Sequence, residues 1–259
     1  MHDSGAPGPA VVLLHGNSLS SLGFRHQLHG GLGVAFRLLA IDFPGHGESP
    51  SATDPSRGYS IPAFARLVAA VANDFDLDEA VFVGWSLGGH VLLEAASLLD
   101  RAAGFCIFGT PPLGVPLAMD RAFLPHPALA DLFKDDLTDD EIRIRVSVCL
   151  RPGAPIPDAF VDDVRRTDRC FRSSLLASLG EVGYEDEVEI VGALDRPLAV
   201  FQGVHEQVVN ADYLRTVAMP TLWRGGVQMI EGAGHSPQWE APHSFDALLA
   251  DFVRDVVTC

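Results

Sequence analysis

No apolar run in this sequence reaches the roughly 20 residues that a membrane-spanning helix needs, so nothing in it reads as a membrane anchor. The first residues, MHDSGAPGPAVVLLHG, lack the basic flank and cleavage site of a secretory leader, and a cytoplasmic address is expected. Basic residues are scarce: 18 Lys and Arg stand against 34 Asp and Glu, a formal net charge of −16. So acidic a surface repels phosphate backbones and anionic headgroups, which argues against nucleic acid or a membrane as partner. The four cysteines (Cys106, Cys149, Cys170, Cys259) form no CxxC pair and no framework spacing, so they are expected reduced and structural. Neither H-x-H-x-D-H nor HExxH occurs, nor a GxGxxG after a strand, nor GxxxxGK[ST]. The expectation is therefore chemistry without metal or cofactor.

What is present is a core-forming chain of 259 residues, 47% hydrophobic, with no repeat and no low-complexity tract. Six short apolar runs, bounded by Gly, Pro or Asp, read as buried parallel strands: Ala10–Leu14, Arg37–Ile41, Ala80–Val83, Gly104–Phe108, Pro197–Phe201 and Val227–Ile230. Helical spacing lies between several of them, over Ile61–Phe75 (Phe64, Leu67, Val68 and Val71 on one face) and Gly89–Leu99, and again in a final helix, Phe245–Val257. Alternation of this kind specifies an open, mostly parallel, doubly wound α/β sheet. The rhythm breaks from Leu113 to about Gly192, where the chain is Pro-rich, then helical and acidic. An inserted helical cap over 113–192 is expected on a core made of 1–112 and 193–259. Only about nine residues precede the first strand, too few for a leading hairpin.

Gly84-Trp85-Ser86-Leu87-Gly88-Gly89 fits G-x-S-x-G with a strand before and a helix after. Ser86 is then a nucleophile on a strained turn, flanked by glycines because a Cβ at either place would strike the neighbouring strand or helix. His15-Gly16-Asn17-Ser18 directly follows the first strand, where one oxyanion-binding amide is supplied in proteins with such a turn. Asn17 N–H and Leu87 N–H are the two expected donors, with His15 a structural turn residue. Gly232-Ala233-Gly234-His235-Ser236-Pro237 follows the last strand and makes His235 the general base. The acid belongs between Ser86 and His235, in the loop after the penultimate strand. Glu206 stands there, with Asp212 and Asp195 as the alternatives, the first reading better as a helix-start residue and the second as a turn before Pro197.

Other features read as architecture. Asp42 and Ser49, in Asp42-Phe43-Pro44-Gly45-His46-Gly47-Glu48-Ser49, serve local hydrogen bonds around a tight reversal. Trp85 packs behind the turn more readily than it touches a ligand. Arg165, Arg166, Arg169 and Arg172 form a basic stripe expected to pair with Asp162, Asp163 and Asp168. Phe123, Leu124, Leu129, Leu132, Phe133 and Phe160 serve equally well as a pocket wall or as cap core.

Taken together, HGNS, the DxPGHGxS loop, GWSLGGH, GTPP, Thr167-Asp168, Glu206 and GAGHxP resemble the metal-independent, serine-type N-acyl-homoserine lactonases of the α/β-hydrolase fold, over nearly the whole chain. The resemblance implies a Ser86, Glu206, His235 triad with Asn17 and Leu87 at the oxyanion hole, no cofactor, and hydrolytic opening of a lactone. It also implies a pocket for which Ser18, Trp85, Phe123, Phe133 and Ile144 are candidates. Two departures stand out: the family's N-terminal hairpin is missing, leaving a sheet edge bare or covered by a second subunit in a homodimer, and a cap tyrosine that contacts the lactone falls near Ile144. Rival expectations are a carboxylesterase on other small esters or lactones, a ligand-sensing homologue with little turnover, and a perhydrolase.

Overall fold

Period-two alternation sets the layers. In β2 (Ala10–Leu14) and β3 (Arg37–Ile41), Val12, Leu14, Leu39 and Ile41 join one core cluster, while Val11, Leu13, Leu38 and Ala40 join a second on the opposite face. A strand buried on both faces belongs in the interior of a parallel sheet covered by helices on each side. The computed structural model describes residues 1–129, 132–179 and 184–257, so Cys259 lies outside the described residues.

The remaining strands are β1 (His2–Asp3), β4 (Val81–Trp85), β5 (Gly104–Phe108), β6 (Leu198–Gly203) and β7 (Gln228–Ile230), in the sheet order β1-β3-β2-β4-β5-β6-β7. All neighbours pair in parallel except β1, which runs antiparallel to β3 with His2 opposite Ala40 and Asp3 opposite Leu39. This corrects the six-strand expectation. The residues ahead of β2 do form a short edge strand, tied down by Ser4 N–H to Leu38 O (2.9 Å) and by an Arg37–Asp3 ion pair (2.8 Å). Strand β4 also runs on to Trp85, opposite Phe108, two residues beyond the reach of its apolar run.

Helix α1 (Ile61–Asp74) is capped by Ser60, whose hydroxyl accepts from Ala63 N–H. Its buried stripe is Ile61, Phe64, Ala65, Val68 and Ala72, with Leu67 and Val71 half-buried at its edge. Helix α2 (Leu87–Ala95) follows Ser86 directly and is buried along its whole length. Both helices pack on the first cluster. The last helix, α7 (Pro242–Val257), buries Phe245, Leu249, Phe252 and Val253 on the second face, at helical spacing.

Between β5 and β6 the described residues form no regular strand. Four helices there matter below: α3 (Asp139–Val148), α4 (Asp158–Arg166), α5 (Phe171–Ser178) and α6 (Glu187–Ala193). Thr138 and Glu141 close a reciprocal capping box at the start of α3. The described cysteines, Cys106, Cys149 and Cys170, are free, and no described helix is long and apolar enough to cross a membrane.

Candidate active site

Ser86 sits between β4 and α2 with φ 53 and ψ −116, a strained backbone for a residue with a Cβ. The turn closes because its flanking glycines let backbones touch. A Cβ on Gly84 would lie 2.4 Å from Gly88 O, and one on Gly88 would lie 2.3 Å from Leu14 O. The amide of Leu87, at the first position of α2, and that of Asn17, after β2, both lack an acceptor among the described residues. Orphan amides at a helix start beside a serine are suited to an anionic oxygen.

The imidazole of His235 comes from the loop after β7. Its Nδ1 lies 2.9 and 3.1 Å from the two carboxylate oxygens of Glu206, and both side chains are only 4% exposed. Glu206 is fixed in turn, its Oε1 accepting Val208 N–H at 2.7 Å. The alternatives are placed elsewhere. Asp212 lies in the first turn of the helix Ala211–Thr216 and pairs with Arg215, and Asp195 is exposed beside Arg196. No described hydrogen bond joins Ser86 Oγ to His235, a contact that often tightens only around a substrate. Ser86, Asn17, Leu87 and His235 all line one cavity of about 760 Å³.

Trp85 is fully buried yet borders this cavity, packed near Phe24, Phe108 and Phe160, and its Nε1–H donates to His235 O at 2.9 Å. His15 holds the turn below Asn17: Nε2 accepts from Phe43 N–H at 3.0 Å, and complete burial pushes its pKa down to about 4. Asp42 accepts the Ser21 and Glu48 amides, and these donors outweigh burial and keep its carboxyl below the usual range. Phe123, Leu124, Leu129, Leu132 and Phe133 line the cavity, whereas Phe160 packs in the core against Trp85 and Trp239.

Two pocket expectations are corrected. Ile144 is 52% exposed on the outer face of α3; one residue on, a turn of about 100° brings Arg145 inward instead, where its Nη2 donates to Asn17 Oδ1 at 2.7 Å. Ser18 is buried behind the loop, not in the cavity, its hydroxyl donating to Asn17 Oδ1 and accepting from Arg172 Nε at 2.9 Å. The basic stripe therefore divides. Arg165 pairs with Asp139 and Asp162, Arg166 with Asp163, and Arg169 with Asp136 in place of Asp168, while Arg172 is buried and bonds Ser18 and the carbonyls of Asp135 and Val164. Sequence reasoning did not place His90, Tyr184 and Arg145 on the cavity wall. For His90 a signal existed, since it stands four residues after Ser86, one turn into the helix that Ser86 precedes.

Comparison with known proteins fits this geometry. Among curated relatives, a pimeloyl-[acyl-carrier protein] methyl ester esterase from Stenotrophomonas maltophilia is 34% identical, covering 95% of this chain and 93% of its own length. A 2-hydroxy-6-oxononadienedioate/2-hydroxy-6-oxononatrienedioate hydrolase from Cupriavidus pinatubonensis is 23% identical over 97% of this chain and 89% of its own. Among solved structures, the N-acyl homoserine lactonase AidH, a mutant complexed with N-hexanoyl homoserine lactone, superposes with a TM-score of 0.94 at 33% identity, covering 99% of this chain and 94% of that one. The model of the alpha/beta hydrolase family matches residues 11–248. With that match running from the first parallel strand into the last helix, and with esterases and a lactonase among its relatives, the chain belongs to the alpha/beta hydrolase family as a carboxylic ester hydrolase.

Proposed function

We propose that this hydrolase opens the lactone ring of N-acyl-homoserine lactones, a quorum-quenching activity, without a metal. The observation that carries the reading is that Ser86, the two acceptor-free amides and a His235 held by Glu206 converge on one cavity. The apolar wall of Phe123, Leu124, Leu129, Leu132 and Phe133 suits an acyl chain, and the likeness to a lactonase at a TM-score of 0.94 supports the ring as substrate. Residues 113–192 act in this reading as the cap over a core of 1–112 and 193–259.

His235, its Nδ1–H directed by Glu206, takes the Ser86 proton at Nε2 as Oγ attacks the lactone carbonyl. The carbonyl oxygen becomes anionic and is met by the amides of Asn17 and Leu87, each worth on the order of 10²–10³ in kcat. Collapse breaks the ring C–O bond, and His235 returns the proton to the leaving alkoxide. Water, deprotonated by His235, then attacks the acyl carbon and releases Ser86 and the ring-opened acyl-homoserine. The tethered alcohol competes with that water for the acyl group, so a second route, in which His235 activates water directly on the lactone, gives the same product.

The second reading is a carboxylesterase on other small esters, favoured by the 34% identical methyl ester esterase. The two separate in one assay: N-acyl-homoserine lactones and aryl esters offered to wild type and Ser86→Ala, with a chelator control, followed by a mass gain of one water. Rapid lactone opening that vanishes in Ser86→Ala and ignores the chelator is the expected result. Ser86-dependent ester cleavage with intact lactones would discard the lactone reading and keep the esterase.

A further inference from the structure

One turn beyond Ser86, His90 of α2 lines the same cavity and is backed by Glu187, making a second Glu–His pair. His90 Nδ1 lies 2.9 Å from both carboxylate oxygens of Glu187. Glu187 opens α6, is fully buried, and is locked to the chain after β5: its Oε2 accepts Leu113 N–H at 2.8 Å and its own amide donates to Leu113 O at 2.9 Å. The acceptor role of that carboxylate leaves the proton on His90 Nδ1. The other nitrogen, Nε2, meets no described partner and, unlike His46 Nε2, is not sealed in the interior; His90 lines the cavity. The pattern of Glu206 and His235 is thus repeated a short way along the wall.

His90 stands one turn into the helix that Ser86 precedes, and both line the same cavity, so a substrate held at Ser86 has other atoms within its reach. In an N-acyl-homoserine lactone the ring carbon next to that carbonyl bears a secondary amide. With Nδ1–H fixed on Glu187, a neutral His90 ring accepts the amide N–H, and an imidazolium donates to the amide C=O. We propose that His90, positioned by Glu187, is a specificity-determining residue that hydrogen-bonds the amide of the substrate. The proposal rests on the lactone reading above.

The test compares kcat/KM for N-hexanoyl-homoserine lactone with that for an α-alkyl-γ-butyrolactone of equal length whose amide is replaced by methylenes. His90→Phe keeps an aromatic side chain and removes the hydrogen bond, and is expected to lower the ratio of amide to amide-free kcat/KM about tenfold. Glu187→Gln retains an acceptor for Leu113 N–H and is expected to reduce the same ratio severalfold, which keeps the test open if His90→Phe fails to fold. A ratio unchanged from wild type in both variants, whether both lactones lose equally or neither loses, overturns the proposal. If wild type opens neither lactone but cleaves aryl esters, the lactone reading fails by itself, and 4-nitrophenyl N-acylglycinate against 4-nitrophenyl octanoate makes the same comparison. There a selective loss on the amide ester in His90→Phe supports the role, and an equal loss overturns it.

Discussion

Gly109 follows β5 directly, with φ +60, and a Cβ built on it would lie 2.7 Å from His235 Cε1, 3.0 Å from Nδ1 and 3.2 Å from Nε2. Ordinary contact begins near 3.4 Å, so Gly109→Ala requires the imidazole to retreat by about 0.7 Å. The ring cannot follow freely, since Nδ1 is held by Glu206 and Glu206 by the Val208 amide. A misplacement near 1 Å at a reacting group costs about 10²-fold, and a loss of that order in kcat is expected. Backbone strain adds a separate cost of about 1–2 kcal/mol for an L residue in the left-handed region, or roughly 2–4 °C in Tm for a chain of this size. Gly225→Ala separates the two effects: Gly225 has φ +67, and nothing lies within 4 Å of its Cβ position. Saturation kinetics on an aryl ester and thermal unfolding should show similar Tm losses for both variants and a kcat loss only for Gly109→Ala. Wild-type kcat in a folded Gly109→Ala protein would refute the argument.

Glu206→Gln is expected to lower kcat by about 10³–10⁴-fold with little change in fold, since the imidazole loses its orienting carboxylate; steady-state kinetics with circular dichroism checks this. Burial, reinforced by Glu187 and Glu185, pushes the Glu94 carboxyl up from 4.5 to about 8. The folded state therefore holds a proton that the unfolded chain releases near 4.5, so this contribution to stability is present below that pH and is lost as pH rises towards 8. Denaturant titrations should show Glu94→Gln flattening that slope, and a slope unchanged in the variant would count against the assignment. Ser18→Ala leaves Arg172 Nε without its hydroxyl acceptor and should cost about 1–3 kcal/mol in unfolding free energy with KM nearly unchanged. Ile144→Ala, on the solvent face of α3, should leave kcat/KM for lactones and esters unaltered; a marked change would return that position to the pocket.

The sheet was legible because its strands are buried on both faces and so appear as unbroken apolar runs, as in Ala10–Leu14 and Gly104–Phe108. Strand β1 was not, because two polar residues held by backbone pairing and one ion pair carry no hydrophobic signal. At the site, Glu206 and His235 were legible from loop position after consecutive strands, which parallel topology brings to the same edge of the sheet. The helical insertion was read least well. Ile144 and Arg145 differ by one position, and only the packing of α3, not its composition, decides that the arginine turns inward and the isoleucine outward. Arg172 likewise looks like one more surface cation until tertiary contacts bury it.

The indole of Trp85 carries a consequence for motion. Through Trp85 the residue beside Ser86 is fastened to the backbone carbonyl of His235, 150 residues away in sequence. The end of strand β4 and the loop after β7 thus share one hydrogen bond, which ties the loop to the sheet. Such a tie restrains the separation between Ser86 and His235 directly, in addition to restraining each position. Precision here belongs to the difference between two coordinates, and one indole N–H acts on that difference directly.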